Sequence, residues 1–220
     1  MSFKKNKKGG VSAKLIRFLI GLSKPFVRLI WVKKINGLEN LPQNKPFIIA
    51  ANHQSYFDFI SLISVLPFGI TFLAAEKFWS SRFWRPIVEA TGQIKVERNA
   101  EDKSHVMKAA LSVLEAGGVL GIFPQGTRSR SGEIEQTYTG VAKIALASDA
   151  LVVPVGIRGA YRVMPPNAKK PKLKKIIEIH IGEPLDFSEF AKQEKTSDLY
   201  REITKKIMVK IAELSNKKYK

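Results

Sequence analysis

A histidine and an aspartate five residues apart, His53 and Asp58, have the types and spacing that general-base chemistry needs. An aspartate that accepts a hydrogen bond from one imidazole nitrogen fixes the tautomer and leaves the other nitrogen basic. Residues that share one face of a continuous helix are three or four apart, so this pair does not. In a turn that enters a helix, however, Asp58 in the first helical turn can reach back to the ring of His53.

The residues around this pair predict such a turn. Residues 46–51 form an apolar run that is too short for a helix and is bounded by Pro42 and Pro46, which is typical of a buried strand. Beyond Asp58, apolar residues recur at roughly helical spacing: Phe59, Ile60, Leu62, Ile63 and Leu66. Open α/β folds usually place their chemistry at such strand ends. An isolated His-Asp pair is more often a surface or capping feature, so its role depends on the residues that surround it.

Charge is the strongest signal in the composition. The 220 residues include 37 Lys and Arg but only 19 Asp and Glu, for a net charge of +18. Such an excess predicts a partner with many phosphates, either a nucleic acid or an anionic membrane surface. Cysteine is absent, which excludes disulfides, a thiol nucleophile and thiolate metal sites, and suits a reducing compartment.

The first 34 residues favour the membrane as that partner. Residues 11–32 are rich in Leu, Ile, Phe and Trp but are interrupted by four cations, Lys14, Arg17, Lys24 and Arg28, on one side of a helical wheel. Four charges make a spanning helix unfavourable, and no small-residue cleavage site indicates a secretory signal. We expect Pro25 to split the segment into two amphipathic helices that lie at the lipid boundary with their cations facing anionic headgroups. The alternative is that these helices pack on the domain with solvated Lys and Arg.

Residues 35–220 are predicted to form one α/β domain with a mostly buried mixed sheet flanked by helices. The predicted strands are 47–51, 70–74, 93–96, 119–123, 151–157 and 176–181. The clearest predicted helices are 101–116, 139–148 and 197–214.

Three further stretches follow or contain predicted strands. Residues 92–98 end a strand in Arg98, and residues 123–130 end one in Pro and Gly, followed by Thr127, Arg128 and Arg130. Residues 152–156 hold Pro154 within a strand. Glycine lets backbone amides approach a phosphate closely, and arginine binds it bidentately. The arginines of neighbouring strand ends could therefore build an anion site beside His53.

In this order the four stretches resemble the four sequence blocks of the glycerolipid acyltransferases. The blocks are Asn-His-Gln-Ser-x-x-Asp, Gly-x-Ile-x-x-x-Arg, Phe-Pro-x-Gly-Thr-Arg-Ser and Val-x-Pro-Val. The resemblance covers roughly residues 35–185 and is strongest to bacterial members that acylate 1-acyl-sn-glycerol-3-phosphate.

The resemblance implies a role for each matched position. His53 would be the base and Asp58 the residue that orients it. The acceptor phosphate would be bound by Arg98, Gly126, Thr127 and Arg128. The site would be shaped by Asn52, Ser55, Pro124, Gln125 and Pro154.

Two positions depart from the family pattern. The third block commonly has Glu where this chain has Gln125, which can still form hydrogen bonds but carries no charge. The second block commonly has an aromatic residue where this chain has Lys95. That cation could add to phosphate binding or merely face the solvent. Both departures leave the His-Asp pair intact.

The implied reaction is attack of the sn-2 hydroxyl of lysophosphatidic acid on an acyl thioester, either acyl-CoA or acyl carrier protein, to give phosphatidic acid. Because the chain has no Cys and no Gly-x-Ser-x-Gly elbow, we expect direct transfer without a covalent acyl-enzyme. No bound cofactor is expected. A metal is not required either, since His53, His105 and His180 lack the spacing of metal ligands. His105 and His180 are expected to be structural.

Other functions compete with this one. The same chemistry could act on glycerol-3-phosphate or another lysolipid, and a non-catalytic basic membrane adaptor could retain the fold. A nucleic-acid-binding protein is disfavoured because the aromatic residues lie mostly within apolar helices and strands. The expected location is the cytoplasmic face of the inner membrane, as a monotopic or peripheral protein on an anionic surface.

Overall fold

The computed structural model describes residues 11–97 and 99–219, apart from the side chains of Val11 and Ser12. Its strands are β1 (Val32–Asn36), β2 (Phe47–Ala51), β3 (Thr71–Ala75), β4 (Ile94–Val96), β5 (Val119–Ile122), β6 (Leu151–Arg158) and β7 (Ile177–Ile181). Its α-helices are α1 (Val11–Trp31), α2 (Tyr56–Val65), α3 (Lys77–Ser80), α4 (Trp84–Thr91), α5 (Ser104–Glu115), α6 (Gly140–Ser148), α7 (Ala160–Val163) and α8 (Ser197–Ser215). Short 3₁₀ helices span Leu38–Asn40 and Ser188–Phe190.

The strands form one sheet in the order β1-β7-β6-β2-β5-β3-β4. Strand β2 lies between β5 and β6 and is parallel to both, and β3 and β4 continue the parallel arrangement. Strand β7 is antiparallel to β6 and parallel to β1. The carboxyl ends of β2 to β6 therefore lie at one edge of the sheet. This architecture confirms the predicted mixed sheet flanked by helices.

Both faces of the sheet are buried. Helices α5, α6 and α8 cover one face and pack on Ile48 and Ala50 of β2. Helices α1, α2 and α7 lie on the other face, where Phe47, Ile49 and Ala51 point. Since successive strand residues point to opposite faces, β2 must be apolar at every position. Burial of each large apolar side chain contributes about 1.5–3 kcal/mol, which fixes β2 and the turn that follows it.

The predicted strands are all present, and their ends differ from the prediction by no more than one residue. The helices at 101–116, 139–148 and 197–214 are also confirmed, with the first beginning later, at Ser104. Strand β1 was not predicted because Lys33 and Lys34 occupy two of its five positions. Lysines of this kind are common on edge strands, and β1 is the end strand beside β7 in the described sheet. Strand β1 also crosses the predicted domain boundary between residues 34 and 35.

The prediction that Pro25 splits the amino-terminal segment is wrong, because α1 is a single helix with Pro25 inside it. Proline cannot donate a backbone hydrogen bond and typically costs a helix interior about 3 kcal/mol. Packing of α1 against both α2 and α4 offsets this cost and holds the two halves in line.

Two cations of α1 form hydrogen bonds within the protein. The Arg17 side chain donates to the carbonyl of Ala90 near the end of α4. Lys24 Nζ donates to the carbonyl of Leu66, which follows α2, at 3.1 Å. Cations at helix carboxyl termini are favourable because the last carbonyls lack partners and carry partial negative charge. Both residues therefore help to dock α1 on its neighbours.

The opposite side of α1 is apolar and exposed. Exposed large side chains occur along its full length: Leu15, Phe18, Leu19, Leu22, Phe26 and Leu29. We call these six residues the α1 apolar stripe. Within residues 11–97 and 99–219, no helix is both long enough and apolar enough to cross a membrane.

His180 lies on β7, where burial lowers its pKa and the positive charge of Arg158 lowers it further. Below about pH 6.5 the unfolded chain therefore binds a proton at this imidazole more readily than the folded chain does. We expect the free energy of unfolding to fall as the pH drops below about 6.5. His180→Gln, which cannot titrate, should reduce that dependence.

Urea unfolding across a pH series measures this effect. His105→Gln, which alters an exposed histidine on α5, is the matched control and should keep the wild-type dependence. Equal pH dependence in His180→Gln and the wild type would contradict the assignment.

Candidate active site

His53 lies just beyond β2, at the sheet edge that receives the carboxyl ends of β2 to β6. The preceding residue, Asn52, is fully buried and joins β2 to β6. Its Nδ2 donates to the carbonyl of Ile157 at 2.9 Å, and its Oδ1 accepts from the Ile157 amide at 2.7 Å. This paired bond fixes the point at which the chain leaves the sheet.

His53 and Asp58 form the expected pair. His53 Nδ1 lies 2.8 Å from Asp58 Oδ2, with the Asp58 side chain fully buried and the His53 side chain 17% exposed. Since an ionised carboxylate only accepts hydrogen bonds, Nδ1 carries the proton and Nε2 is left with a free lone pair. The geometry can thus support general-base chemistry at Nε2.

The same carboxylate caps α2. Asp58 Oδ2 also accepts from the amides of Gln54 at 2.6 Å and Ser55 at 2.7 Å. Ser55 is the N-cap of α2, and its Oγ accepts from the Phe57 amide at 3.0 Å. Ser55 and Asp58 therefore form a capping box, in which the third helical residue reaches back to the cap. The amino terminus of α2 further stabilises the negative charge.

An aromatic wall backs the histidine. The His53 ring stacks on Phe123 with centroids 4.1 Å apart, and Phe123 stacks on Phe72 at 5.6 Å. The stack holds the imidazole plane in one orientation.

The loop after β5 holds the His53 backbone from both sides. Gln125 Oε1 accepts from the His53 amide at 2.8 Å, and the Ser129 amide donates to the His53 carbonyl at 2.8 Å. Gly126 between them adopts φ +66°, and a Cβ there would lie 2.7 Å from the Tyr138 ring. Glycine is therefore favoured in this turn.

Arg128 is placed beside the start of α2. Its guanidinium lies over the Tyr56 ring, 3.9 Å from the centroid, and Nη1 lies 3.4 Å from the carbonyl of Pro166. A cation–π contact of this kind restricts the side chain while its remaining N–H groups stay available. Thr127, the preceding residue, is exposed.

Two other cations considered for the anion site, Lys95 and Arg130, have different surroundings. Lys95 lies on the edge strand β4 and pairs with Glu97 at 2.7 Å. Strand β3 separates β4 from β5, so the expectation that Arg98 and Arg128 follow neighbouring strands is wrong. The position of Arg98 itself lies outside the described residues. Arg130 is exposed, and its carbonyl accepts from the Tyr161 hydroxyl at 2.8 Å.

Pro154 lies within β6, opposite Ala50 of β2. Backbone amides two residues apart in a strand point in the same direction. The Val152 amide donates to the Leu185 carbonyl, so an amide hydrogen at position 154 would point to that side of β6, toward β7. There the ladder is interrupted, because β6 pairs with β7 only from Val155 onward. Pro154 therefore fits the sheet without leaving a partner unsatisfied. Pro124 is buried, and its carbonyl accepts from the Tyr138 amide at 2.8 Å.

Three contributions were not predicted from sequence: the stacking of Phe123 on His53, the platform that Tyr56 offers Arg128, and the hydrogen bond from His53 to Gln125. The Ser-x-x-Asp pattern at residues 55–58 is a capping signal that could have been recognised in the sequence. Among the described residues, no group of three or more His, Cys, Asp or Glu side chains is arranged to hold a metal ion.

Comparison with known proteins places this site in a family. The family model described as "Acyltransferase" matches residues 33–158, which include every block described above. The chain therefore belongs to the acyltransferase family.

The chain is 29% identical to the 1-acyl-sn-glycerol-3-phosphate acyltransferase of Bacillus subtilis, over 84% of this chain and 88% of that protein. It is 27% identical to the protein of the same name from Borreliella burgdorferi, over 79% and 70% of the two chains.

A solved structure shares the fold. The crystal structure of the 1-acyl-sn-glycerophosphate (LPA) acyltransferase, PlsC, from Thermotoga maritima matches with a TM-score of 0.70 and 23% identity. The match covers 94% of this chain and 84% of that one.

Substitution of Gln125 tests its hydrogen bond to His53. Gln125→Met keeps the side-chain length but removes the acceptor and leaves the His53 amide unpaired. We expect the free energy of unfolding to fall by about 1–3 kcal/mol. Gln125→Glu keeps an acceptor oxygen and should lose less. Chemical denaturation measures both, and equal losses would show that the hydrogen bond contributes little.

Proposed function

We propose that this protein transfers a fatty acyl group from an acyl thioester to the sn-2 hydroxyl of 1-acyl-sn-glycerol-3-phosphate, giving phosphatidic acid. The observation that carries the proposal is the 2.8 Å contact between His53 Nδ1 and the buried Asp58 carboxylate at the functional edge of the sheet. Membership of the acyltransferase family and the names of the Bacillus and Borreliella relatives support the same acceptor.

His53 acts as the base in this mechanism. Its Nε2 takes the proton of the sn-2 hydroxyl as the hydroxyl oxygen attacks the thioester carbonyl. Asp58 stabilises the imidazolium that forms. When the tetrahedral intermediate collapses, the carbon–sulfur bond breaks and the imidazolium returns its proton to the departing thiolate. The products are the new ester and a free thiol.

Transfer is direct, without an acyl-enzyme. The chain has no cysteine. Ser55, the serine nearest in sequence to His53 and Asp58, already forms two hydrogen bonds through its hydroxyl. Ser55 Oγ donates to the carbonyl of Met164 at 2.7 Å and accepts from the Phe57 amide. A hydroxyl held in this way caps a helix and is poorly placed to become a nucleophile. The donor thioester is acyl-CoA or acyl carrier protein.

Arg128 binds the phosphate of the acceptor. Among the described residues it has no carboxylate partner, and Tyr56 holds its guanidinium beside the turn that carries His53. Gly126 and Thr127 extend the same loop, and Arg98 is the further phosphate ligand that the sequence predicts. Loss of the acceptor phosphate should therefore weaken binding, which distinguishes this acceptor from neutral lysolipids.

The α1 apolar stripe docks the enzyme on the membrane that supplies its lysolipid. Six large apolar side chains on one exposed helix face match the width and chemistry of an interfacial helix. The net charge of +18 favours an anionic surface. The enzyme then acts as a monotopic or peripheral protein at the cytoplasmic face of the cell membrane.

Turnover by purified protein tests this proposal. We expect wild type to convert lysophosphatidic acid and a long-chain acyl thioester to phosphatidic acid on vesicles, as measured by mass spectrometry. His53→Ala should lower turnover by about 10²–10⁴-fold, since it removes the general base. His105→Ala, at an exposed position on α5, is the matched control and should retain wild-type turnover.

Turnover of His53→Ala within about tenfold of wild type would contradict the proposed mechanism. Conversion of glycerol-3-phosphate or another lysolipid, but not of lysophosphatidic acid, would replace the proposed acceptor.

A further inference from the structure

A cavity lies beyond β6, and its lining residues lie outside the His53 turn. It has a volume of about 360 Å³ and is lined by Tyr161, Arg162, Pro165, Lys172, Lys174 and Ile176. We call it the basic pocket. Helix α7 and the loop at residues 164–176 build it, on the sheet face that also carries α1 and α2.

The surface that lines the basic pocket is mostly apolar, and the positive charge lies on the residues around it. Residues 159–176 contain six Lys and Arg and no Asp or Glu. Arg162, Lys172 and Lys174 are exposed, and within the described part of the chain none of them forms an ion pair with a carboxylate. Three unpaired cations around one cavity favour an anionic ligand.

The loop that carries these lysines is held in place by backbone hydrogen bonds. The Lys172 amide donates to the Val163 carbonyl at 2.9 Å, and the Ile176 amide donates to the Lys174 carbonyl at 3.0 Å. Trp31 Nε1, at the end of α1, donates to the Lys172 carbonyl at 2.9 Å. The pocket is therefore tied directly to the helix that bears the α1 apolar stripe.

Exposed leucines lie near both ends of the Trp31–Lys172 hydrogen bond. Leu29 near the end of α1 is 67% exposed, and Leu173, between two pocket lysines, is 76% exposed. An exposed leucine flanked by lysines suits a lipid surface, where the apolar side chain enters the acyl boundary and the ammonium groups meet phosphates. A soluble anion would give no reason for this exposed leucine.

We propose that the basic pocket binds the phosphate of an anionic phospholipid headgroup when α1 lies on the membrane. Arg162 can bind the phosphate bidentately, Lys172 and Lys174 add charge, and Ile176 and Pro165 offer apolar surface to the glycerol. This inference rests on the membrane docking proposed above. The docking proposed above involves only insertion of the α1 apolar stripe and attraction of the net positive charge to the membrane. The present inference adds a specific site for one lipid headgroup.

The pocket is also connected to the active site. The carbonyl of Met164 accepts from Ser55 Oγ, and the carbonyl of Pro166 lies 3.4 Å from Arg128 Nη1. Both carbonyls belong to the loop that forms the pocket. A lipid bound there would therefore hold the segment that positions the cap of α2 and the phosphate-binding arginine.

Vesicle binding by the full chain tests the site. The probes are phosphatidylcholine vesicles with and without a fixed fraction of phosphatidic acid or phosphatidylglycerol. The triple variant Arg162→Gln, Lys172→Gln, Lys174→Gln should bind anionic vesicles at least about tenfold more weakly than wild type. Binding to neutral vesicles should change little.

A matched control removes the same charge elsewhere. Lys108 on α5, Lys205 on α8 and Lys192 before α8 are exposed and belong to the opposite sheet face or its connections. The triple Gln variant at these positions should stay within about threefold of wild type. Equal losses in the two triple variants would overturn the proposal, since net charge alone would explain them.

Two further variants sharpen the result. Arg162→Lys keeps the charge but loses the bidentate geometry. If the pocket binds the phosphate specifically, this variant should bind vesicles with phosphatidic acid more weakly than wild type; if attraction is only diffuse, it should bind them equally well.

Leu22→Asp with Phe26→Asp alters the α1 apolar stripe. If this pair abolishes vesicle binding while the pocket triple does not, membrane docking stands and the lipid site fails. If neither changes binding, both fail.

Calorimetry with CoA and with inorganic phosphate, in the absence of vesicles, shows whether the basic pocket binds a soluble anion instead of a lipid headgroup. The proposal expects no loss of CoA affinity in the pocket triple variant. A loss of CoA affinity with unchanged vesicle binding would assign the pocket to the acyl donor and overturn the lipid site.

Discussion

The site depends on one carboxylate that serves two structures at once. Asp58 Oδ2 receives the imidazole of His53 and the amides of Gln54 and Ser55. The first contact orients the base, and the other two begin α2. Because Asp58 is fully buried, its charge must be balanced by these donors and by the helix amino terminus. The helix cannot begin properly without the group that orients the histidine, so folding of this turn also assembles the pair.

The rest of the molecule holds this turn against neighbouring strands. Asn52 ties it to β6, while Gln125 and Ser129 tie the His53 backbone to the loop after β5. The loop after β6 joins in through Met164 and Ser55. Three parallel strand ends therefore meet at His53. The same arrangement joins the site to α1, whose outer face is the proposed membrane contact, through the loop that Trp31 binds.

Much of this was predictable because it depends on local patterns. Buried strands such as β2 and β6 read as apolar runs, and the turn between His53 and Asp58 is specified by its neighbours. Long-range geometry was not predictable. The strand order that places β3 between β5 and β4 depends on packing, and so does the inward turn of Arg17 and Lys24 toward helix ends. Strand β1 was missed because its lysines suit an edge position that no local pattern indicates.

The most direct test of this account compares Asp58→Asn with wild type in both stability and turnover. His53 Nδ1 and the amides of Gln54 and Ser55 all contact the same oxygen, Oδ2, so an asparagine oxygen in that place can still accept from all three. A neutral amide, however, has no charge with which to stabilise the imidazolium that forms during transfer. We predict a free energy of unfolding within about 2 kcal/mol of wild type and turnover lower by about 10²–10⁴-fold. Turnover close to that of wild type in a folded Asp58→Asn protein would show that the carboxylate only caps the helix.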